Sequence, residues 1–272
     1  MKNKITSGLA LTTCVLTLIG LISINTYAAD KKSNAQVSAD SSGDKVIKFV
    51  IVGDTTAKDK QGWGPGFKNC LTENARLINM AIGGRSSKKF IDEGRLTKAL
   101  AVKGDYYLIQ FGHNDESAKD DSKTEPNTTY RESISKYIDE IQKAGAKPIL
   151  VTSLVRRQWD TADSNKIKSV LAPYAETVKQ IAKEKNVTLI DLHAKSEELY
   201  EQLGKDKSNE LAARKDDGSM DNTHLNEKGV AVFGKIVAEE LVKALPELKT
   251  CFTFEQPADA NSVPKAPADF NK

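Results

Sequence analysis

Only three cysteines, three histidines and two tryptophans occur among the 272 residues, and charge of either sign is nearly cancelled, with 40 basic against 37 acidic side chains. That balance gives no electrostatic basis for nucleic-acid binding, which needs a basic face. The few histidines, His113, His193 and His224, lie far apart without paired ligand spacing, so neither a metal nor another cofactor is expected. No internal repeat is present. A P-loop is missing too, because "GGRSSK" from Gly83 lacks the required spacing. The one long apolar run, from about Leu9 to Ile24, contains Thr12, Thr13 and Thr17 and falls short of the roughly 20 residues of a spanning helix.

What is there at the N-terminus is a leader. Lys2 and Lys4 precede the apolar run and small residues Ala28 and Ala29 follow it, so residues 1–29 read as a secretory signal peptide. Cys14 lies inside the run, without the small residue expected before a lipidated cysteine, and no stable membrane anchor is expected. The expected location is the periplasm or outside the cell. Without the leader the net charge falls to about +1. The serine-rich, polar stretch 30–44 reads as a disordered linker, residues 45–250 as one α/β domain, and 251–272 as a trailing tail. A monomer is expected. Cys70 and Cys251 admit one intramolecular pairing, which export would favour and which would close a loop of about 180 residues; two free buried thiols are the alternative.

Within the domain, apolar runs alternate with helical patterns. Strands are predicted at Val46 to Val52, Arg76 to Met80, Tyr106 to Phe111, Pro148 to Thr152 and Val187 to Asp191. Helices are predicted around Phe67 to Glu73, Leu96 to Val102, Tyr130 to Ala144 and Ile167 to Lys185. A last helix follows Asn226 as N-cap, with Val230, Phe233, Ile236, Val237, Leu241 and Leu245 on one face. Strands separated by helices imply a parallel sheet with right-handed crossovers.

Three strand ends carry unusual residues: Gly53-Asp54-Thr55, "NMAIGGRSS" with Gly83 and Gly84, and "LIQFGHNDE" with Gly112, His113 and Asn114. In a parallel sheet these loops converge on one edge. "DNTHLNEKG" then sets Asp221 three residues before His224, just ahead of the final helix. Acyl transfer needs a nucleophile, a base oriented by an acid, and donors for an oxyanion. Thr55 offers the hydroxyl, His224 the base and Asp221 the orienting carboxylate. Backbone N–H groups of Thr55 and Gly84 and the Asn114 amide offer the donors.

These motifs in this order resemble the SGNH (GDSL-type) hydrolases, and within them the rhamnogalacturonan acetylesterases. "NMAIGGRSSKKFIDEGR", "IQFGHNDE" and "DNTHLNEKG" carry the resemblance, with "SLVRRQWD" at Ser153 to Asp160 similar to a basic strand-end segment of those enzymes. It implies a flavodoxin-like three-layer α/β/α sandwich with a five-stranded parallel sheet. It also implies removal of acetyl groups from pectin by Thr55, Asp221 and His224, with Thr55, Gly84 and Asn114 as the oxyanion hole. The partner would be an acetylated polysaccharide or oligosaccharide. One departure stands out: Thr55 occupies the place of the family's serine, and its methyl restricts χ1 and crowds the approach to an ester. Arg85, Arg156 and Arg157 are candidates for galacturonate carboxylates, since a planar guanidinium suits them; structural ion pairs are the blander alternative. Rival readings are an acetylxylan esterase, another GDSL-type esterase or lipase, and a weakly catalytic sugar-binding relative that stacks sugars on Trp63 or Trp159. A lipase would need an apolar groove, whereas Arg85, Ser86, Ser87, Gln110 and Asn114 suggest a polar one.

Overall fold

Successive residues of the first apolar run enter opposite cores. Phe49 and Ile51 face one side, Val50 and Val52 the other, and all four are fully buried. Burial on both faces marks a central strand of a parallel sheet. The computed structural model describes residues 45–119 and 121–254. The expected leader (1–29) and the whole of the linker (30–44) lie outside these residues, as does the tail beyond residue 254.

The elements run β1 (Ile47–Gly53), α1 (Gly64–Asn69), β2 (Ala75–Asn79), α2 (Ser87–Asp92), α3 (Arg95–Ala101), β3 (Tyr106–Gln110), α4 (His113–Ser117), α5 (Arg131–Lys143), β4 (Lys147–Val151), α6 (Ala172–Lys185), β5 (Thr188–Ile190), α7 (Leu192–Ser208), β6 (Ala212–Arg214), β7 (Met220–Leu225) and α8 (Glu227–Ala244). Strands β1 to β5 form a parallel sheet ordered β2-β1-β3-β4-β5. Helices α1, α7 and α8 contribute Phe67, Tyr200 and Phe233 to one core; α2, α3, α5 and α6 contribute Phe90, Leu96, Tyr137 and Val178 to the other. This is the three-layer α/β/α sandwich. Asn226 caps α8 as expected, its side chain accepting from Gly229 N–H.

The sequence patterns miss α2, α4, α7 and the antiparallel β6–β7 hairpin. The domain also runs past residue 250. Leu71 pairs with Phe252, and the Phe252 ring packs on Phe49 and Phe67, so residues 251–254 belong to the core rather than to a tail. The expected Cys70–Cys251 disulfide is not formed; both thiols are buried and free. Cys70 Sγ donates to the Gly66 carbonyl at 3.4 Å, and backbone pairing takes over the job of holding the C-terminal segment. Burial pushes the Cys70 thiol up to about 11 and raises that of Cys251, so neither forms a reactive thiolate readily.

Candidate active site

Strand order reverses direction between β1 and β3, and in open α/β sheets ligands bind outside the carboxyl ends of the strands at such a point. Thr55 sits on the loop after β1. Its floor is a buried polar network. Asp54 Oδ1 accepts from Thr56 N at 3.0 Å, Thr56 Oγ1 at 2.9 Å and Gln110 Nε2 at 3.2 Å, while Oδ2 accepts from His113 N at 3.1 Å. Trp63 Nε1 closes the network by donating to Gln110 Oε1 at 2.8 Å. Burial alone would raise the Asp54 carboxyl, but the His113 ring and the Thr56 donors hold it below its ordinary value. The carboxylate therefore stays ionised and locks the nucleophile loop onto the third loop.

Thr55 Oγ1 accepts a hydrogen bond from Gly84 N–H at 3.3 Å. Gly84 has φ of 73°, a left-handed conformation that turns its N–H toward the hydroxyl and favours glycine. Asn114 lies at the start of α4, and its buried Nδ2 has no partner among the described residues. A buried amide left without a partner is costly unless a ligand completes it. The Thr55 N–H likewise bonds no described residue.

His224 lies at the end of β7, not in an irregular loop. Asp221 Oδ2 is 2.7 Å from His224 Nδ1, and Asp221 Oδ1 accepts from Thr223 N at 2.7 Å and His224 N at 3.0 Å. Burial works upward on Asp221, yet these bonds from His224 and Thr223 hold its carboxyl below the usual range. An ionised acceptor at Nδ1 fixes the tautomer that leaves Nε2 free as a base. The hairpin is tied to the nucleophile loop by Leu225 N donating to the Gln61 carbonyl at 3.1 Å. No hydrogen bond joins Thr55 Oγ1 to the imidazole; its partner is the Gly84 N–H.

The three arginines sit beside strand ends, as the sequence suggests, and take the structural alternative. Arg157 is 5 % exposed, and its Nη2 donates to the carbonyls of Asp221 at 2.5 Å and His224 at 2.8 Å, while Nη1 donates to Tyr200 at 2.7 Å. It clamps the acid–base turn from below. Arg156 pairs with Glu116 at 2.8 Å and donates to the His113 carbonyl at 3.2 Å. Arg85 is shared between Glu93 at 3.2 Å and the Gly83 carbonyl at 3.1 Å, with Arg95 on the same Glu93. None of the three is a free guanidinium waiting for a substrate carboxylate.

The expected polar lining also changes. Ser86, Ser87 and Gln110 are fully buried, as is Trp63, which packs rather than stacking a sugar. Ser86 caps α2, and Ser87 donates through N and Oγ to Asp115. His193 is structural, its Nδ1 3.0 Å from the Ser153 carbonyl to which it donates. Sequence patterns missed Asp115, whose carboxylate accepts four hydrogen bonds from Ser87 and Thr124 and so links the Gly84 loop to the Asn114 loop. The acid directly after Asn114 was the available signal. Among the described residues no cluster of side chains suits a metal ion, and no helix is long and apolar enough to cross a membrane.

A hydroxyl, an acid-supported imidazole and oxyanion donors on a doubly wound sheet define an acyl-transfer hydrolase. A model of the GDSL-like Lipase/Acylhydrolase family matches residues 39–232, and the chain belongs to that family. It is 37 % identical over 213 residues to a rhamnogalacturonan acetylesterase of Bacillus subtilis, covering 72 % of this chain and 89 % of that protein. A rhamnogalacturonan acetylesterase of Emericella nidulans is 28 % identical over 220 residues, covering 72 % and 84 %. Among solved structures, an acetylxylan esterase from Geobacillus stearothermophilus superimposes with a TM-score of 0.54 at 19 % identity, covering 74 % of this chain and 95 % of its own.

Proposed function

We propose that this protein is a carbohydrate acetylesterase acting outside the cytoplasm on acetylated pectin of the rhamnogalacturonan type, with Thr55 as nucleophile. The observation that carries the reading is the Asp221–His224 pair at 2.7 Å, joined through the Gln61–Leu225 bond to the Thr55 loop, whose Oγ1 already meets the Gly84 N–H. His224 Nε2 removes the Thr55 proton as Oγ1 attacks the acetyl carbonyl. The developing oxyanion takes hydrogen bonds from Thr55 N, Gly84 N and Asn114 Nδ2. His224 then protonates the departing sugar hydroxyl, leaving acetyl-Thr55. Water, deprotonated by the same imidazole, releases acetate and restores the hydroxyl. The names of the relatives at 37 % and 28 % identity support the pectic substrate.

Acetate release from acetylated rhamnogalacturonan is the test. Thr55→Ser should retain or raise the rate, while Thr55→Ala and His224→Ala should abolish it. Wild-type turnover in Thr55→Ala would remove the nucleophile. An acetylxylan reading keeps the same chemistry and is separated by comparing the two acetylated polymers side by side.

A further inference from the structure

With Arg85, Arg156 and Arg157 engaged, the cation beside the nucleophile is Lys58. A Cβ built on Gly83 would lie 3.3 Å from Lys58 Nζ and 3.4 Å from Thr55 Oγ1. The ammonium and the hydroxyl thus border one small space, which a glycine at 83 keeps clear. Lys58 is half-buried, and among the described residues no carboxylate forms an ion pair with it. Its neighbour Asp59 is turned away, accepting from Asn79 Nδ2 at 2.9 Å.

We propose that Lys58 reads the uronate carboxylate of the sugar whose acetyl ester is presented to Thr55. This rests on the acetylesterase reading above and deepens it. A half-buried ammonium without a counter-ion carries a desolvation cost that an incoming carboxylate repays and a neutral sugar does not. Its three rotatable donors also accept a carboxylate from several directions, where a guanidinium fork demands one plane. That tolerance suits a pyranose that can be esterified at more than one hydroxyl.

The experiment compares wild type, Lys58→Met and Lys58→Arg on acetylated rhamnogalacturonan oligosaccharides and acetylated xylo-oligosaccharides. It also measures inhibition by unacetylated galacturonate oligosaccharides. The ratio of kcat/KM, acidic over neutral substrate, should fall about tenfold in Lys58→Met, through KM, and recover in Lys58→Arg. The inhibition constant of the galacturonate oligosaccharide should rise about tenfold in Lys58→Met and return in Lys58→Arg. If wild type prefers the acidic substrate and Lys58→Met keeps both the preference and the inhibition constant, the Lys58 proposal falls alone and the acetylesterase reading stands. If wild type releases acetate from neither polymer, the acetylesterase reading fails, and calorimetric binding of the galacturonate oligosaccharide that is unchanged in Lys58→Met would overturn the Lys58 assignment as well.

Discussion

Arg157 shows how a charged side chain can serve a reaction without touching substrate. Its guanidinium is buried and spends two hydrogen bonds on the carbonyls of Asp221 and His224, while its ring-facing side lies 5.2 Å over Tyr200. Removing it leaves those carbonyls without their donor and frees the turn that sets the imidazole. A displacement of about 1 Å in a reacting group can cost about 10²-fold. Arg157→Met should therefore lower kcat by one to two orders of magnitude per folded active site, with KM little changed. Arg157→Lys should recover only part of the loss, because one ammonium cannot reproduce the fork. Proton NMR adds a readout that loss of fold would not mimic: the downfield His224 Nδ1–H signal should broaden or shift in the Met variant. A variant with unchanged kcat would show that the turn holds itself.

Two helices flank the site from opposite ends of the chain, and their contact fixes how the nucleophile loop meets the hairpin. Helix α1 follows the Thr55 loop and α8 follows His224; they cross at Gly66 and Gly234 with almost no space between backbones. A Cβ on Gly66 would lie 2.0 Å from the Val230 carbonyl oxygen, and one on Gly234 would lie 2.2 Å from Gly66 backbone carbon. Either substitution must push the helices apart. Gly66→Ala should destabilise the protein by about 3 kcal/mol or more in urea unfolding, and activity should fall further than the folded fraction does. The same crossing explains what the sequence could and could not reveal. The stripe of α8 and its Asn226 cap were legible because one face is apolar and one end polar. All five sheet strands were legible because each is a short apolar run bounded by turns. Helix α2 was hidden by its brevity, and α7 by a polar surface and a break at Gly204, where φ is 73°. The proposed triad and oxyanion donors were named from motif order, whereas the engagement of Arg156 and Arg157 depends on partners about 40 or more residues away, which no local pattern carries.

Stability of the domain as a function of pH should carry the signature of Asp115. Its carboxyl is 0 % exposed and joins the loops after β2 and β3 through Ser87 and Thr124. Burial is the largest influence and raises it from 3.8 to about 6, although the Ser87 and Thr124 donors pull the other way. A folded value above the unfolded one means that the folded state holds a proton the unfolded state has already released. The stability from this group is complete below about pH 4, declines as pH rises toward 6, and stays lost above it. A rise of about two units corresponds to about 3 kcal/mol. Asp54 and Asp221 act in the opposite sense, since both are held below their ordinary values and lose stability only as acid protonates them. The total curve therefore mixes signs, and Asp115→Asn isolates one contribution. The variant cannot satisfy all three donors, Ser87 N, Ser87 Oγ and Thr124 Oγ1, and should be less stable than wild type in acid. Between pH 4 and 7 that deficit should shrink by about 2–3 kcal/mol, because only wild type loses the proton-linked term. Urea unfolding of both proteins at several pH values measures the difference directly. A deficit that does not change with pH would mean that the three donors, not burial, govern this carboxylate and keep it ionised throughout.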